Sequence, residues 1–479
     1  MPFVIVNLLF FISSILISFL YKKFDVVLHK ALVRSNSKYP SVDVFLPICG
    51  EDMKVITKTW EAVKNLDYPN YKVYVLDDKG DKQSQMLAKV FGFNYLSRPD
   101  KGYFKKAGNL RYGFNNSGGD YILILDADFV CEPNIILETI PYMIKDDKIA
   151  IVQTPQYFAT TDFMHKYNML EYGAGQIQEE FYKQIQVSRD KIQGSICVGS
   201  NALYSRKALE TIGGTYLIEH SEDIWTGMAL NAKGYITKYI PVILATGLSP
   251  TTLDTFIRQQ YRWCQGTITI ALSPLFWKSK ISWGSRLSFL AGLIYYLTSF
   301  GYFVLPFSIF LVVFLSPEVI NFDNSKFFYP GLILTIIASQ FLYIQRIKFG
   351  SFYARFFSIA ANCLSIIHTI FRINLAWTPT GKKTKVNIWV KTIIFFTAIY
   401  SLSYLTLSVV AIQKGLLKFN SFDHYSVLIW IVYNNIMFVS FAYLGLRDLY
   451  SGQEAVEKIP NVQRIITRPQ KVKINITSL

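Results

Sequence analysis

The stretch Tyr121-Ile-Leu-Ile-Leu-Asp-Ala-Asp-Phe129 decides the fold expected for the first half of this 479-residue chain. Its apolar residues predict a buried strand, and two acids, Asp126 and Asp128, stand at the carboxyl end of that strand. Comparable apolar runs are Val42–Leu46, Val73–Leu76 and Ile149–Gln153, and the helix-compatible segments between the runs are Met53–Leu66, Gln83–Val90, Lys105–Asn115 and Asn134–Ile144. This alternation predicts an α/β fold with a mostly parallel sheet, which binds ligands at the carboxyl ends of its strands.

The composition excludes both an ordinary soluble protein and a wholly membrane-embedded one. Hydrophobic residues make up 51% and charged residues only 17% of the chain. Residues 22–282 nevertheless carry charges throughout and contain no uncharged run of about 20 residues, the length that spans a bilayer. Five scattered cysteines without a C-x-x-C pair indicate neither a disulfide framework nor a thiolate metal site.

Uncharged runs of spanning length predict five transmembrane helices. These runs are residues 1–21, 287–317, 327–345, 392–413 and 425–446. Basic residues crowd residues 346–391 and the tail after residue 446, so cytoplasmic flanks account for much of the net charge of +16 and no nucleic-acid partner is expected. Residues 351–373 are predicted to lie in the membrane interface, with a spanning helix as the alternative.

The predicted domain organisation follows from these runs. It comprises an N-terminal anchor (1–21), a cytosolic α/β domain (22–282), a membrane region (283–446) with an interfacial helix (351–373) and a loop (374–391), and a basic cytosolic tail (447–479).

Acids at the strand ends are the first candidates for a functional site. Asp126 and Asp128 can together meet a hard divalent cation, which also binds nucleotide phosphates. Asp77 and Asp78 end the preceding strand, where a carboxylate can accept a hydrogen bond from a base or ribose. Each pair taken alone also fits a structural role in a turn.

Two later motifs add a candidate base and a candidate sugar platform. Ser221-Glu222-Asp223 precedes a helix-like run, in which Ser221 also suits an N-cap and the acids suit the first turn. Arg262 and Trp263 offer a charge for a phosphate and a stacking face for a sugar ring, although an aromatic residue and a snorkelling Arg at a membrane interface fit equally well.

The order of these motifs resembles the processive family 2 glycosyltransferases, and within them the cellulose synthase branch. The order is Asp77-Asp78, Lys106-Ala-Gly-Asn109, Asp126-Ala-Asp128, Cys197-Val-Gly-Ser200, Ser221-Glu-Asp223 and Gln259-x-x-Arg262-Trp263, followed by membrane spans. The resemblance covers roughly residues 41–385. It implies a cytosolic GT-A (Rossmann-like) domain joined to an α-helical transmembrane bundle with interfacial helices, in a multi-pass plasma-membrane protein.

The resemblance also implies a role for each matching residue. It assigns UDP-sugar binding to Glu51, Asp77, Asp78, Lys106, Asp126 and Arg262, and Mg²⁺ or Mn²⁺ binding to Asp126 and Asp128. It makes Asp223 the general base, with Glu222 and Asp128 as further catalytic carboxylates, and it assigns the acceptor sugar to Gln259, Trp263, Cys197, Gly199 and Ser200. Trp377, Thr378, Thr380 and Lys382 match loosely a loop that closes over the nucleotide, and an interfacial Trp followed by a basic turn is the alternative.

The implied activity is processive, inverting transfer from a UDP-sugar to a growing β-linked polysaccharide, which the enzyme secretes through its own channel. The segment Ile196–Asn201 favours UDP-glucose as the donor, because it is more similar to glucan synthases than to hyaluronan or chitin-oligomer synthases. A UDP-GlcNAc-using chitin- or hyaluronan-type synthase, a non-processive polyprenyl-phosphate transferase and a degenerate nucleotide-sensing transporter or receptor are the alternatives. The expected partners are the donor, the acceptor polymer and the bilayer, and a homo-oligomer stays open.

Overall fold

A computed structural model describes residues 23–158, 168–326, 349–373 and 386–451, together with Ile12. Several sequence predictions concern other parts of the chain. Those lying outside the described residues are the anchor 1–21 apart from Ile12, the span 327–345, the tail after residue 451, and the loop residues Trp377, Thr378, Thr380 and Lys382.

A seven-stranded sheet forms the centre of the first domain, with the strand order β3-β2-β1-β4-β8-β6-β9. A second sheet has the order β5-β10-β7. The strands are β1 (Val42–Ile48), β2 (Tyr71–Asp77), β3 (Asn94–Leu96), β4 (Tyr121–Ile124), β5 (Phe129–Cys131), β6 (Ile149–Gln153), β7 (Tyr157–Phe158), β8 (Ala202–Ser205), β9 (Ile236–Tyr239) and β10 (Ala245–Gly247). The predicted mostly parallel sheet is confirmed, and the short strand β8, which pairs antiparallel with both β4 and β6, was not predicted.

Helices cover both faces of the large sheet. They are α1 (Val26–Arg34), α2 (Met53–Lys64), α3 (Lys82–Phe91), α4 (Lys105–Asn115), α5 (Ile135–Lys145), α6 (Met169–Glu180), α7 (Gln186–Lys191), α8 (Arg206–Glu210) and α9 (Glu222–Ala232), with a π-helical turn at Phe181–Ile185 between α6 and α7. All seven residues of β1 are buried. Val44 and Leu46 pack into one apolar core and Phe45 into the other, as the alternation of side chains along a strand requires.

Long helices dominate the second half of the chain. They are α10 (Leu253–Leu272), α11 (Pro274–Lys278), α12 (Trp283–Leu315), α13 (Phe322–Ser325), α14 (Phe349–Ile370), α15 (Ile388–Gln413) and α16 (Tyr425–Ser451). Within the described residues, three stretches are long and apolar enough to cross a membrane: Trp283–Leu315, Ile388–Gln413 and Phe422–Tyr450. They overlap three of the five predicted spans, at 287–317, 392–413 and 425–446.

The segment predicted to be interfacial is helical, as α14. Its buried face, including Tyr353, Phe357 and Ala361, packs against α6 of the first domain and against α10. Ser358 Oγ donates a hydrogen bond to Gln260 Oε1 (2.9 Å), and Ser365 Oγ donates one to the carbonyl oxygen of Tyr261 (2.9 Å). Helix α10 is therefore held between the α/β domain and the apolar helices.

Candidate active site

Three strands bring their carboxyl ends to one edge of the large sheet. Strands β1, β2 and β4 are parallel neighbours. Asp77 is the last residue of β2, Asp126 follows β4 by two residues, and Glu51 follows β1 by three. Burial raises the pKa of Glu51, whose carboxylate accepts a hydrogen bond from the backbone N–H of Cys49 (2.6 Å). The acids that the sequence singled out thus gather at the predicted edge.

The acids after β2, which we call the β2 acid pair (Asp77 and Asp78), are occupied by hydrogen bonds from their own chain. Buried Asp77 accepts from the backbone N–H groups of Lys79 (2.9 Å), Gly80 (3.0 Å) and Asp81 (2.8 Å) and from the hydroxyl of Tyr95 (2.7 Å). Asp78 accepts from Arg98 Nε (2.5 Å) and from the backbone N–H of Gly102 (3.1 Å). Both carboxylates therefore fix the conformation of the loops that follow β2. These loops lie at the donor edge, by which we mean the edge of the sheet where the UDP-sugar is expected to bind.

Arg98 is an organising residue that sequence reasoning missed. It is only 1% exposed. Besides Asp78, its guanidinium donates to the carbonyl oxygens of Tyr103 (2.5 Å) and Lys105 (3.1 Å). These bonds fix the loop in which Phe104 and Lys105 both have a positive φ, of 51° and 48°, before α4 presents Lys106. The Arg-Pro pair at 98–99 was the available signal in the sequence.

Lys106 links the acids of two different segments. Its Nζ lies 2.5 Å from Asp126 Oδ1 and 3.7 Å from Glu222 Oε1, and it donates a hydrogen bond to the carbonyl oxygen of Gly199 (3.1 Å). Burial disfavours the charged form of Lys106, but the carboxylates of Asp126 and Glu222 outweigh burial, so its pKa is raised. Lys106 is a permanent cation at the centre of the site.

Around Lys106 lies the central acid cluster, which we define as Asp126, Asp128, Glu222 and Asp223. Burial raises the pKa of Asp223 to about 7, and the charge of Glu222 adds to this effect while Lys106 opposes it. Burial also raises the pKa of Asp128 to about 7, with a further contribution from Asp126. Buried carboxylates that lie close together and have a raised pKa are typical of functional sites, because catalytic acids and bases need a pKa matched to their task.

The helix that carries Glu222 and Asp223 begins unusually. Ser221 precedes it with φ 59° and ψ 41°, and its side chain makes no capping hydrogen bond to α9. Ser221 thus occupies the predicted N-cap position, and Glu222 and Asp223 lie in the first turn as predicted, but its side chain does not cap the helix, because its hydroxyl is directed instead at the carbonyl oxygen of Arg262 (3.3 Å). Neighbouring His220 stays neutral at neutral pH, because burial and the nearby cations lower its pKa to about 4.

The segment containing Cys197, Gly199 and Ser200 borders the cluster mainly through its backbone. Cys197 is buried and its Sγ lies 2.9 Å from the hydroxyl of Tyr204. Ser200 is buried as well, and its Oγ accepts a hydrogen bond from the backbone N–H of Asp126 (2.9 Å). A Cβ on Gly199 would lie 2.9 Å from Asp223 Oδ2, so the glycine permits close contact with that carboxylate. An acceptor-binding role for these three residues stays a prediction.

Gln153 is a second residue that sequence reasoning missed. From the end of β6, its Nε2 donates to the carbonyl oxygen of Ser200 (2.8 Å) and its Oε1 accepts from the backbone N–H of Val198 (2.9 Å). Gln156 adds a bond to the carbonyl oxygen of Val198 (2.7 Å). The two amides fix the segment that touches Lys106 and Asp223.

Helix α10 carries Gln259, Arg262 and Trp263, and it contacts the turn before α9 where Ser221 Oγ lies 3.3 Å from the carbonyl oxygen of Arg262. Burial lowers the pKa of Arg262, while the negative charges of Glu222 and Asp126 favour its charged form. Gln259 and Trp263 are half-buried and lie one helical turn apart on α10. Helix α10 therefore brings the positive charge of Arg262 within electrostatic reach of the central acid cluster.

The donor set suits a divalent cation that is shared with a ligand. Among the described residues, no group of three or more His, Cys, Asp and Glu side chains is arranged to hold a metal by itself. Asp126 and Asp128 supply carboxylate oxygens, and Mg²⁺ in particular is commonly bound by one or two carboxylates plus substrate phosphates. A cation would also offset the burial and the repulsion from Asp126 that together raise the pKa of Asp128. These residues therefore fit Mg²⁺ or Mn²⁺.

Comparison with known sequences finds a family match within the α/β domain. Residues 43–213 match the model of glycosyl transferase family 2. The chain is 34% identical over 291 residues to the cellulose synthase 1 catalytic subunit (UDP-forming) of Komagataeibacter xylinus, which is 59% of this chain and 38% of that protein. It is 32% identical over 264 residues to the cellulose synthase catalytic subunit (UDP-forming) of Pseudomonas fluorescens, covering 54% of this chain and 35% of that protein. The chain spans less than two fifths of the length of either relative.

Among solved structures, a mannosyltransferase from Pyrobaculum calidifontis, determined in complex with GDP-mannose and Mn²⁺, has a similar fold. The TM-score is 0.53 at 13% sequence identity, and the match covers 77% of this chain and 98% of that one. At this identity the likeness concerns the fold alone. The GT-A fold expected from the sequence is confirmed.

Proposed function

We propose that the protein is a processive, inverting glycosyltransferase that builds a β-linked glucan from UDP-glucose, because residues 43–213 match the model of glycosyl transferase family 2 and the chain is similar to UDP-forming cellulose synthase catalytic subunits. The observation that carries this proposal is the meeting of Lys106 with Asp126 (2.5 Å) and Glu222 (3.7 Å) beside Asp223. Lys106 is a cation that lies between Asp126 at the donor edge and Glu222 of α9. This arrangement suits the transfer of a sugar from a diphosphate. The UDP-forming relatives support the choice of donor.

Asp223 is the proposed general base. In an inverting transfer, the acceptor hydroxyl loses its proton as its oxygen bonds to the anomeric carbon, while the bond from that carbon to UDP breaks. A carboxylate with a pKa of about 7 is well matched to taking this proton near neutral pH. Glu222 contributes by raising the proton affinity of Asp223.

The leaving diphosphate needs positive charge. Among the described residues, Lys106 contacts Asp126 of the central acid cluster and Arg262 is influenced by the charges of Glu222 and Asp126, and both cations can bind phosphate oxygens. A divalent cation held by Asp126 and Asp128 would supply further electrostatic stabilisation of the diphosphate. Glu51 and the loops shaped by the β2 acid pair would bind the rest of the UDP-sugar.

The acceptor is proposed to bind along α10. The ring of Trp263 can stack on the face of a pyranose, and Gln259 one turn earlier can hydrogen-bond its hydroxyls. The backbone of Gly199 would close the opposite side, where it touches Asp223. An acceptor site on α10 adjoins the apolar helices, so a growing chain would emerge towards them.

The apolar helices α12, α15 and α16 support a location in the cell membrane. We propose a multi-pass protein with five spans, a cytoplasmic catalytic domain and a loop around Trp377, Thr378, Thr380 and Lys382 that closes over the nucleotide. In that arrangement the polymer leaves through the protein's own channel.

A polar contact between two of the apolar helices stabilises their packing. Asn435 Nδ2 of α16 donates a hydrogen bond to Ser408 Oγ of α15 (2.9 Å).

Membranes or purified full-length protein incubated with labelled UDP-glucose and Mg²⁺ or Mn²⁺ test the activity. We expect ethanol-insoluble label that a β-glucanase releases, with linkage analysis identifying the bond, and none from the matched Asp223→Asn protein. Incorporation from UDP-GlcNAc alone would point instead to a chitin- or hyaluronan-type synthase. Label that partitions into organic solvent as a lipid-linked monosaccharide would point to a polyprenyl-phosphate transferase.

Secretion needs a separate measurement. Full-length protein is reconstituted into sealed vesicles with the catalytic domain outside, and UDP-glucose is added outside. We expect polymer that resists an externally added glucanase until detergent opens the vesicles. Polymer that is digested before detergent is added would contradict export through the protein.

A further inference from the structure

Two small residues, Ser221 and Gly266, join the turn before α9 to helix α10. Ser221 Oγ donates a hydrogen bond to the carbonyl oxygen of Arg262 (3.3 Å). A Cβ added to Gly266 would lie only 2.0 Å from Ser221 Oγ and 2.3 Å from Ser221 Cβ. The side chain of Ser221 therefore fills a notch in α10 that exists only because residue 266 is a glycine.

The backbone of Ser221 has an unusual conformation for this contact. Its φ of 59° lies in the left-handed region, which a non-glycine residue seldom adopts. An N-cap normally has extended backbone angles and bonds the first turn of its own helix, and Ser221 does neither. Strained residues of this kind persist where the surrounding structure holds them, and they cluster at functional sites.

The same turn positions Asp223, two residues later. On one side the carboxylate of Asp223 touches Gly199, on which a Cβ would lie 2.9 Å from Oδ2. On the other side the chain is held to α10 through Ser221. Arg262, whose carbonyl oxygen receives the Ser221 hydrogen bond, also carries a positive charge that the carboxylates of Glu222 and Asp126 favour. The contact therefore lies between the proposed base and the helix proposed to bind the acceptor.

We propose that Ser221 and Gly266 are positioning residues that set the distance between Asp223 and the acceptor face of α10, formed by Gln259 and Trp263. This inference rests on the proposed function. Neither residue touches the reacting atoms, so their effect passes through Asp223. A proton acceptor must lie within hydrogen-bond reach of the acceptor hydroxyl, and a displacement of about 1 Å can lower a rate about 100-fold.

The first test is Gly266→Ala in the full-length protein, assayed for glucan synthesis. The new methyl group would occupy the place of Ser221 Oγ and displace the first turn of α9. We expect kcat to fall about 10- to 100-fold, with KM for UDP-glucose within about twofold, because β1 and β2 at the donor edge are untouched. A rise in KM with an unchanged kcat would overturn the proposal.

The decisive variant combines Ser221→Gly with Gly266→Ala, so that the side chain at the contact is on α10 instead of on the turn before α9. Ser221→Gly removes both atoms that the methyl group introduced by Gly266→Ala would meet, and it keeps the left-handed conformation accessible. Ser221→Gly alone loses one hydrogen bond and should lower kcat about 2- to 10-fold. The double variant Ser221→Gly with Gly266→Ala should recover to about the kcat of Ser221→Gly alone, because the clash no longer exists. A double variant as slow as Gly266→Ala would overturn the proposal.

A control for general packing damage is Gly119→Ala, in the loop before β4, where a Cβ would lie 2.8 Å from Asp43 Cγ, at the opposite end of β4 from Asp126. Its thermal midpoint should fall while kcat per folded molecule is kept. If Gly266→Ala does not fold, Ser221→Ala takes its place, with an expected fall in kcat of about 2- to 10-fold at constant KM, and an unchanged kcat would overturn the proposal. Absence of synthesis by the unchanged chain refutes the proposed function rather than this contact.

Discussion

The β2 acid pair and the central acid cluster look alike in the sequence and differ in the structure. Both contain two acids at the carboxyl end of a strand. Asp77 accepts four hydrogen bonds, three from backbone N–H groups and one from Tyr95. Asp128 and Asp223 instead lie near other carboxylates, and burial raises the pKa of each to about 7.

This difference distinguishes acids with a structural role, which stabilise the loops of the site, from acids with a proposed catalytic or metal-binding role. A carboxylate surrounded by N–H donors is stabilised in its charged form, and it holds a loop in one conformation. Crowded carboxylates with too few donors remain reactive, because a proton, a metal ion or a substrate hydroxyl lowers their energy. The five predictions below test this distinction, beginning with the largest expected effect.

Removing the charge of Asp223 should nearly abolish synthesis. We expect Asp223→Asn to lower kcat about 10²- to 10⁴-fold, the usual contribution of a positioned base, with UDP affinity changed less than about threefold. Its thermal midpoint should not fall, because the amide removes a repulsion with Glu222. Turnover assays, UDP titration and thermal melting check these points, and retained synthesis would refute the role of Asp223.

Removing divalent cations should lower synthesis through the central acid cluster and leave the β2 acid pair unchanged. We expect a chelator to lower glucan synthesis at least about 100-fold, because the charge on the leaving diphosphate is no longer neutralised. Added Mg²⁺ or Mn²⁺ should restore synthesis in the unchanged protein and fail to do so in Asp128→Asn. Full activity in the chelator would contradict a metal role for Asp126 and Asp128.

Changing Asp77 should cost stability rather than turnover. An amide keeps one acceptor oxygen, so Asp77→Asn leaves one or two buried donors unpaired and should lower the free energy of unfolding by about 1–3 kcal/mol. KM for UDP-glucose should rise, because the donor-edge loop loosens, while kcat changes less than about tenfold. A loss of kcat as large as that of Asp223→Asn at unchanged stability would remove the distinction between the two regions.

The rate should depend on pH through Asp223. Its raised pKa means that the base is protonated and inactive below about 7 and free to act above. At saturating metal, kcat should therefore rise with pH through a midpoint near 7 and fall about tenfold per pH unit well below it. The profile from about pH 5.5 to 9 checks this, and a flat profile would argue against Asp223 as the base.

The smallest expected effect concerns Tyr95. Tyr95→Phe removes one of the four donors to Asp77 and should lower the free energy of unfolding by about 0.5–1.5 kcal/mol without changing kcat. Tyr71→Phe is the matched control, because the Tyr71 hydroxyl makes only long hydrogen bonds of 3.4–3.5 Å to backbone carbonyls. Equal losses in the two variants would show that the Tyr95 bond has no special role.

The accuracy of sequence reasoning differed between elements. Strand β6 and helix α4 have the predicted bounds, since continuous apolar runs and helical periodicity are local signals. Strand β8 was missed because its four residues form a strand only by pairing with β4 and β6. Arg98 and Gln153 were missed because their partners lie in other segments of the chain, such as Asp78 for Arg98 and Ser200 for Gln153.

The sequence alone determined which residues are acids at strand ends, where apolar runs of membrane length occur, and the order of the motifs, because each is a property of neighbouring residues. Only the tertiary structure decided that Lys106 joins Asp126 to Glu222, that Asp77 is saturated with donors while Asp223 is not, and that Ser221 occupies a notch at Gly266. Burial, charge repulsion and close packing depend on which distant segments meet, and folding alone brings those segments together.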